Sequence, residues 1–334
     1  MAAAGQGREN EGVPSIGLVL GAGGVLGGSF HSGVLAAIHD ATDWDARKAD
    51  VIVGTSAGAT TAASLRAGLS PADHFARATG SPPSDEGTAL LGRIERPYDI
   101  PDRRPRLRGL GNPTAARLVW AAVRTWPIRP MIALAGLLPR GEVDGSAIRD
   151  RIDAMAGGDW PDDKPVWICA VRLDNGNRVV FGRDDVSVGS FGAAVHASSA
   201  VPGFIRPVTI DDVEYVDGAA HSATNADLLA GLELDLVVVI SPKSGPLPDA
   251  SWRCSSIARI WSGSTLYREV DAVIESGTEV VVVEPDAALG VLLDSNSMNR
   301  SDRSKRAAVA RAAYERSLRQ FHEIDLSQFV DRAS

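Results

Sequence analysis

Short apolar runs rich in β-formers alternate with helical stretches along this chain, and that rhythm constrains its fold more than anything else. IGLVL (Ile16–Leu20), VIV (51–53), LVVVI (Leu236–Ile240) and VVVVE (280–284) show almost no polar alternation, as strands covered on both faces require. Between them come helical segments over 31–39 and 57–67, and a long charged helix over 303–321 closes the pattern. Strands alternating with helices predict an α/β fold of three layers, a mostly parallel sheet flanked by helices. VWICAVRL (166–173) and RVVF (Arg178–Phe181) flank the turn DNGN and predict one antiparallel hairpin. EYV (214–216) reads as a further strand.

The expected organisation is a disordered leader over 1–14 and one domain over 15–325. An insertion over about 81–144 interrupts it. Residues 81–111 are rich in Pro, Arg, Asp and Gly and read as irregular. Apolar segments over 114–126 and 131–138 follow, cut by Pro127, Pro130 and Pro139. They suit helices covering the core or a lid facing lipid.

Composition excludes some functions. The formal net charge is −8, which argues against a dedicated nucleic-acid binder. Cys169 and Cys254 are the only cysteines and have no metal-ligand spacing, so no disulfide framework and no metal are expected. The first residues lack a signal-peptide pattern, and no apolar stretch reaches the ~20 residues that span a bilayer. The expectation is a cytoplasmic enzyme able to visit membrane surfaces.

Two turns carry chemistry. After IGLVL comes Gly21-Ala22-Gly23-Gly24-Val25-Leu26-Gly27-Gly28, then a helix. Glycines beside a helix N-terminus leave N–H groups free to hold negative charge, either a nucleotide phosphate or the oxyanion of a reacting ester. The spacing fails the dinucleotide fingerprint because Leu26 stands where a third glycine is needed. After VIV comes Gly54-Thr55-Ser56-Ala57-Gly58, a GxSxG sequence between strand and helix. That is the context of a nucleophile elbow, with Gly54 and Gly58 small enough for the tight turn. The competing reading makes Ser56 a plain helix N-cap. Asp217-Gly218 ends EYV, and strand ends at the carboxyl edge of a parallel sheet converge, so Asp217 can serve as base to Ser56. Asp217 as a turn residue is the alternative.

His31 and His196 read as packing residues. His322 follows Asp217 and formally completes a Ser-Asp-His order, which leaves an α/β-hydrolase-type esterase as a second hypothesis. A non-catalytic phosphate- or nucleotide-binding module is a third.

LVLGAGGVLGGSFHSGVLAAI, GTSAGA, and AVHASSAVPGFIRPV followed by YVDGAAHSATNADLL together resemble the patatin-like phospholipases. The resemblance implies a Ser56–Asp217 dyad without histidine. It also implies an oxyanion hole from the N–H groups of Gly23, Gly24, Val25 and Ala57. The substrate would be a lipid or fatty-acyl ester, hydrolysed without cofactor or metal. The chain departs from the family where Val25 replaces a third glycine and Gly27 replaces a basic residue.

Overall fold

The computed structural model describes residues 14–94, 130–246, 254–294, 298 and 302–324. The leader expected over 1–14 (but for Pro14) and residues 95–129 of the insertion lie outside the described residues.

In chain order the strands are β1 (Ile16–Leu20), β2 (Val51–Gly54), β3 (Val166–Arg172), β4 (Arg178–Phe181), β5 (Val208–Ile210), β6 (Val213–Asp217), β7 (Leu236–Ile240) and β8 (Glu279–Val283). They form one eight-stranded sheet of order β5-β6-β3-β2-β1-β7-β8, with β4 also on β3. The run from β3 to β8 is parallel. The expected three-layer α/β architecture is therefore present, as is the β3–β4 hairpin.

The helices are α1 (Gly24–Thr42), α2 (Ala57–Arg66), α3 (Pro71–Thr79), α4 (Asp85–Gly92), α5 (Pro130–Leu137), α6 (Ser146–Ala156), α7 (Phe191–Ser198), α8 (Cys254–Glu275), α9 (Ala287–Asp294) and α10 (Arg303–Glu323). Side chains of the central strands alternate between two covered faces. Leu18, Leu20, Ile52, Val238 and Ile240 join Leu26, Phe30 and Ala59 in one core. Val19, Val51, Val53, Val237 and Val239 join Leu266, Val270 and Val273 of α8 in another. Every residue of β1 and β7 is buried, which is why these strands read as unbroken apolar runs.

Three sequence expectations change. The helix expected over 31–39 begins at Gly24, so half of the glycine-rich stretch is helix. Gly33 there serves close packing, against the backbone of α10 at Ala310. Within the stretch expected to be irregular, Ser84 accepts a hydrogen bond from the Gly87 amide at 3.0 Å and caps α4. β6 runs antiparallel to β3 and is paired in a hairpin with β5. Asp211 and Asp212 at its tip both have positive φ, 46° and 61°, which two-residue hairpins favour.

No helix among the described residues is long and apolar enough to cross a membrane. No group of His, Cys, Asp and Glu among them could hold a metal ion. Cys169 is buried, and burial pushes its thiol up to about 12, as befits an inert packing group.

Candidate active site

β2 is four residues long and stops at Gly54, paired with Ile168 of β3. The chain then turns so sharply that Ser56 takes φ 56° and ψ −116°, a costly conformation for a residue with a Cβ. Packing holds it there. A Cβ on Gly58 would run into the Leu20 carbonyl, and one on Gly54 would press on the Ala59 backbone at 2.7 Å. Ser56 stands at the N-cap position of α2 but its hydroxyl makes no capping bond, so the plain N-cap reading fails.

The hydroxyl lies close enough to the buried Asp217 carboxylate to favour its charged form. The expectation that β6 ends at a parallel carboxyl edge is replaced by a different geometry. β6 pairs only with the far half of β3, so its last residue, Asp217, sits opposite Ala170, two positions beyond Gly54's partner Ile168. Gly218 lets the chain pass tightly over Cys169 there. Asp217 is 3% exposed. Burial is the strongest influence on its carboxyl and raises it to about 6. The Ser56 hydroxyl, the Ala219 amide at 2.9 Å and the charge of Lys243 oppose that rise.

The glycine-rich turn lies beside them. Gly24 has φ 63°, so the glycine-demanding position is Gly24, and Val25 fits as an ordinary residue of the first helical turn. The amides of Gly23, Gly24, Val25 and Ala57 find no acceptor among the described residues. Gly24, Val25, Ser56 and Ala57 line one cavity of about 160 Å³. The ends of two helices thus aim unpaired N–H groups at the space around one serine.

Several supporting residues carried no assignment in the sequence. Ser198 Oγ accepts the Ser56 amide at 2.9 Å, Ser199 Oγ donates to the Ser56 carbonyl at 3.4 Å, and the Ala200 carbonyl accepts the Asp217 amide at 3.0 Å. One short segment therefore ties the elbow to the aspartate. Asn225, itself at φ 58°, donates to Thr55 Oγ1 at 3.0 Å and to the Ser222 carbonyl at 2.9 Å, and accepts from Arg178. Buried Glu269, raised to about 6 chiefly by burial, accepts from Thr224 at 2.6 Å and from the Ala226 amide at 2.9 Å. Half-buried Lys243 follows β7, and burial holds its ammonium below the usual lysine range. Arg259 clamps the same loop through the carbonyls of Pro242 and Ser244. This presses Pro242 onto Gly23. The signals for these residues were a serine pair and an αL-prone Asn; the lysine gave none.

Burial keeps two of the histidines neutral. His31 is buried, with Nδ1 3.2 Å from Thr61 Oγ1, and burial pushes it down to about 3. His196 is likewise lowered by burial, to about 4. His322 is in the last turn of α10, sixteen residues beyond the cavity-lining Arg306. That is about 24 Å along the helix axis.

A serine at a strand–turn–helix elbow, with a buried aspartate and free amides beside it in an α/β sheet, has the form of an acyl-transfer centre. A family model described as patatin-like phospholipase matches residues 18–230, and the chain belongs to that family. An uncharacterized NTE family protein of Mycobacterium bovis is 33% identical over 124 residues, 36% of this chain and 32% of the relative. Two of Mycobacterium tuberculosis match to the same extent. The match thus spans about a third of the length of these curated relatives. Among solved structures, VipD from Legionella pneumophila is 12% identical with a TM-score of 0.38, covering 93% of this chain and 67% of that one. The type III effector protein ExoU is 18% identical with a TM-score of 0.36, covering 92% and 53%.

Proposed function

We propose that this chain hydrolyses lipid acyl esters through an acyl-enzyme, with Ser56 as nucleophile and Asp217 as its base. The observation that carries this reading is a strained, uncapped serine hydroxyl beside a buried carboxyl that burial raises to about 6. A carboxyl poised there is ionised at neutral pH yet basic enough to accept a proton from a hydroxyl as it attacks.

Ser56 Oγ adds to the ester carbonyl while its proton passes to Asp217. The oxyanion is held by the N–H groups of Gly23, Gly24, Val25 and Ala57. Collapse expels the alcohol, which takes the proton from Asp217, and leaves the acyl group on Ser56. Water then gives its proton to Asp217 and attacks the acyl carbonyl, and the acid leaves as Ser56 recovers its proton. The chemistry asks for no cofactor. A histidine-dependent mechanism is disfavoured by the place of His322.

The test is labelling with a fluorophosphonate and hydrolysis of a p-nitrophenyl acyl ester. The wild type should label and turn over. Ser56→Ala should lose labelling, and at least about 10³-fold in rate, while keeping its fold. Undiminished hydrolysis by that variant sinks the proposal.

A further inference from the structure

The cavity lined by Ser56 is small, and its wall mixes apolar side chains with cationic ones. Its far wall carries three arginines, Arg77 of α3, Arg151 of α6 and Arg306 of α10, together with His74 of α3. No Asp or Glu lines it. Hydroxyls of α1 and α2 line it as well, together with Ile148, Val201, Ile205 and Met298. At about 160 Å³ the cavity is smaller than the roughly 300–1,000 Å³ that encloses a drug-sized ligand. It fits a compact group.

Two nitrogens at this wall are unused, one of them the Nε–H donor of Arg306. Arg306 Nε and His74 Nε2 are buried without a hydrogen-bond partner among the described residues, and His74 is only 7% exposed. A buried donor left unpaired is costly, and a ligand oxygen would satisfy it. The electrostatics agree. Burial is the main cause that drives His74 down to about 3; the positive charges of Arg77 and Arg151 push it the same way, and Asp73 opposes them. Guanidinium groups in such surroundings match the oxygens of phosphate or carboxylate.

We propose that this cavity binds a compact anionic group carried by the ester, a phosphomonoester foremost, and so selects anionic lysolipids over zwitterionic and neutral ones. The inference rests on the hydrolase reading above. A choline or ethanolamine head would bring a cation toward three arginines. A glyceride would leave the Arg306 donor unpaired.

The experiment compares kcat/KM of the full chain on 1-acyl-glycerol 3-phosphate, 1-acyl-glycerophosphocholine and 1-monoacylglycerol of one acyl length. The phosphomonoester is expected to be preferred by about tenfold or more, the size of a charge-assisted hydrogen bond. Arg306→Gln and Arg151→Gln should each shrink that ratio, and Arg306→Lys should retain part of it, while fluorophosphonate labelling shows that the elbow still forms. Equal kcat/KM on the three esters in the wild type overturns the subsite and leaves the hydrolase reading standing. Absence of both turnover and labelling overturns the hydrolase reading itself. Competitive inhibition of neutral-ester hydrolysis by inorganic phosphate, without a preference for the phosphorylated ester, would mark a free-anion site and also overturn the assignment.

Discussion

Asp217 reaches Ser56 from a strand that runs against the direction of the strand before Ser56. β2 and β6 both pair with β3, one parallel over its first half and one antiparallel over its second. Gly54 and Asp217 therefore face Ile168 and Ala170, and the hydroxyl and carboxyl meet between them.

The first prediction concerns pH. As base, Asp217 must be ionised, and its carboxyl titrates at about 6. kcat/KM should rise with pH and level off above about 6, falling about tenfold per pH unit below it. A profile flat from pH 5 to 8 would remove Asp217 from this role.

Asp217→Asn should abolish turnover yet stabilise the fold. An aspartate raised from 3.8 to about 6 by burial binds its proton more tightly folded than unfolded. Wild-type stability is therefore lost as pH rises through that window, with the full cost present above about 6. The variant should gain on the order of 2–3 kcal/mol at pH 8 and almost nothing below pH 4. Urea unfolding at the two pH values is the measurement. An equal gain at both would point to packing instead of charge.

Lys243→Met removes a cation that favours the ionised form of Asp217. The acid limb of the pH profile should move to higher pH. An unmoved limb would show that Lys243 does not couple to the carboxyl.

Asn225→Ala takes away the Thr55 and Ser222 bonds and leaves a left-handed backbone to alanine. Stability should fall by about 1–3 kcal/mol, and kcat should fall with it because Thr55 adjoins the nucleophile. Retention of wild-type kcat would show that the elbow does not depend on this support.

Two glycines should respond oppositely to alanine. Gly58→Ala drives a Cβ into the Leu20 carbonyl and should cost at least about 3 kcal/mol or abolish folding. Gly28→Ala meets nothing within 4 Å inside α1 and should stabilise by about 0.5–1 kcal/mol. Thermal melts of the pair decide it.

Much of this was legible because buried parallel strands and tight turns leave local marks. IGLVL and LVVVI announced β1 and β7 through total burial, and Gly54-Thr55-Ser56-Ala57-Gly58 announced the elbow through steric need. What escaped depends on contacts distant in sequence. Gly33 carries no local mark of its role, since it is there because α10 passes too close for a side chain. β5 was missed because Asp211-Asp212 is a weaker hairpin mark than Asn-Gly. Lys243 gains meaning only when β7 brings it toward Asp217, and the arginine wall only when α3, α6 and α10 converge.

β3 acts as a measuring stick. Since the spacing of the two reacting groups is written along one backbone, lengthening the Asp174–Asn177 hairpin tip should leave them in step. Adding a single residue inside β3 between Ile168 and Ala170 would instead throw one of them to the opposite side of the sheet and silence the centre at a stroke.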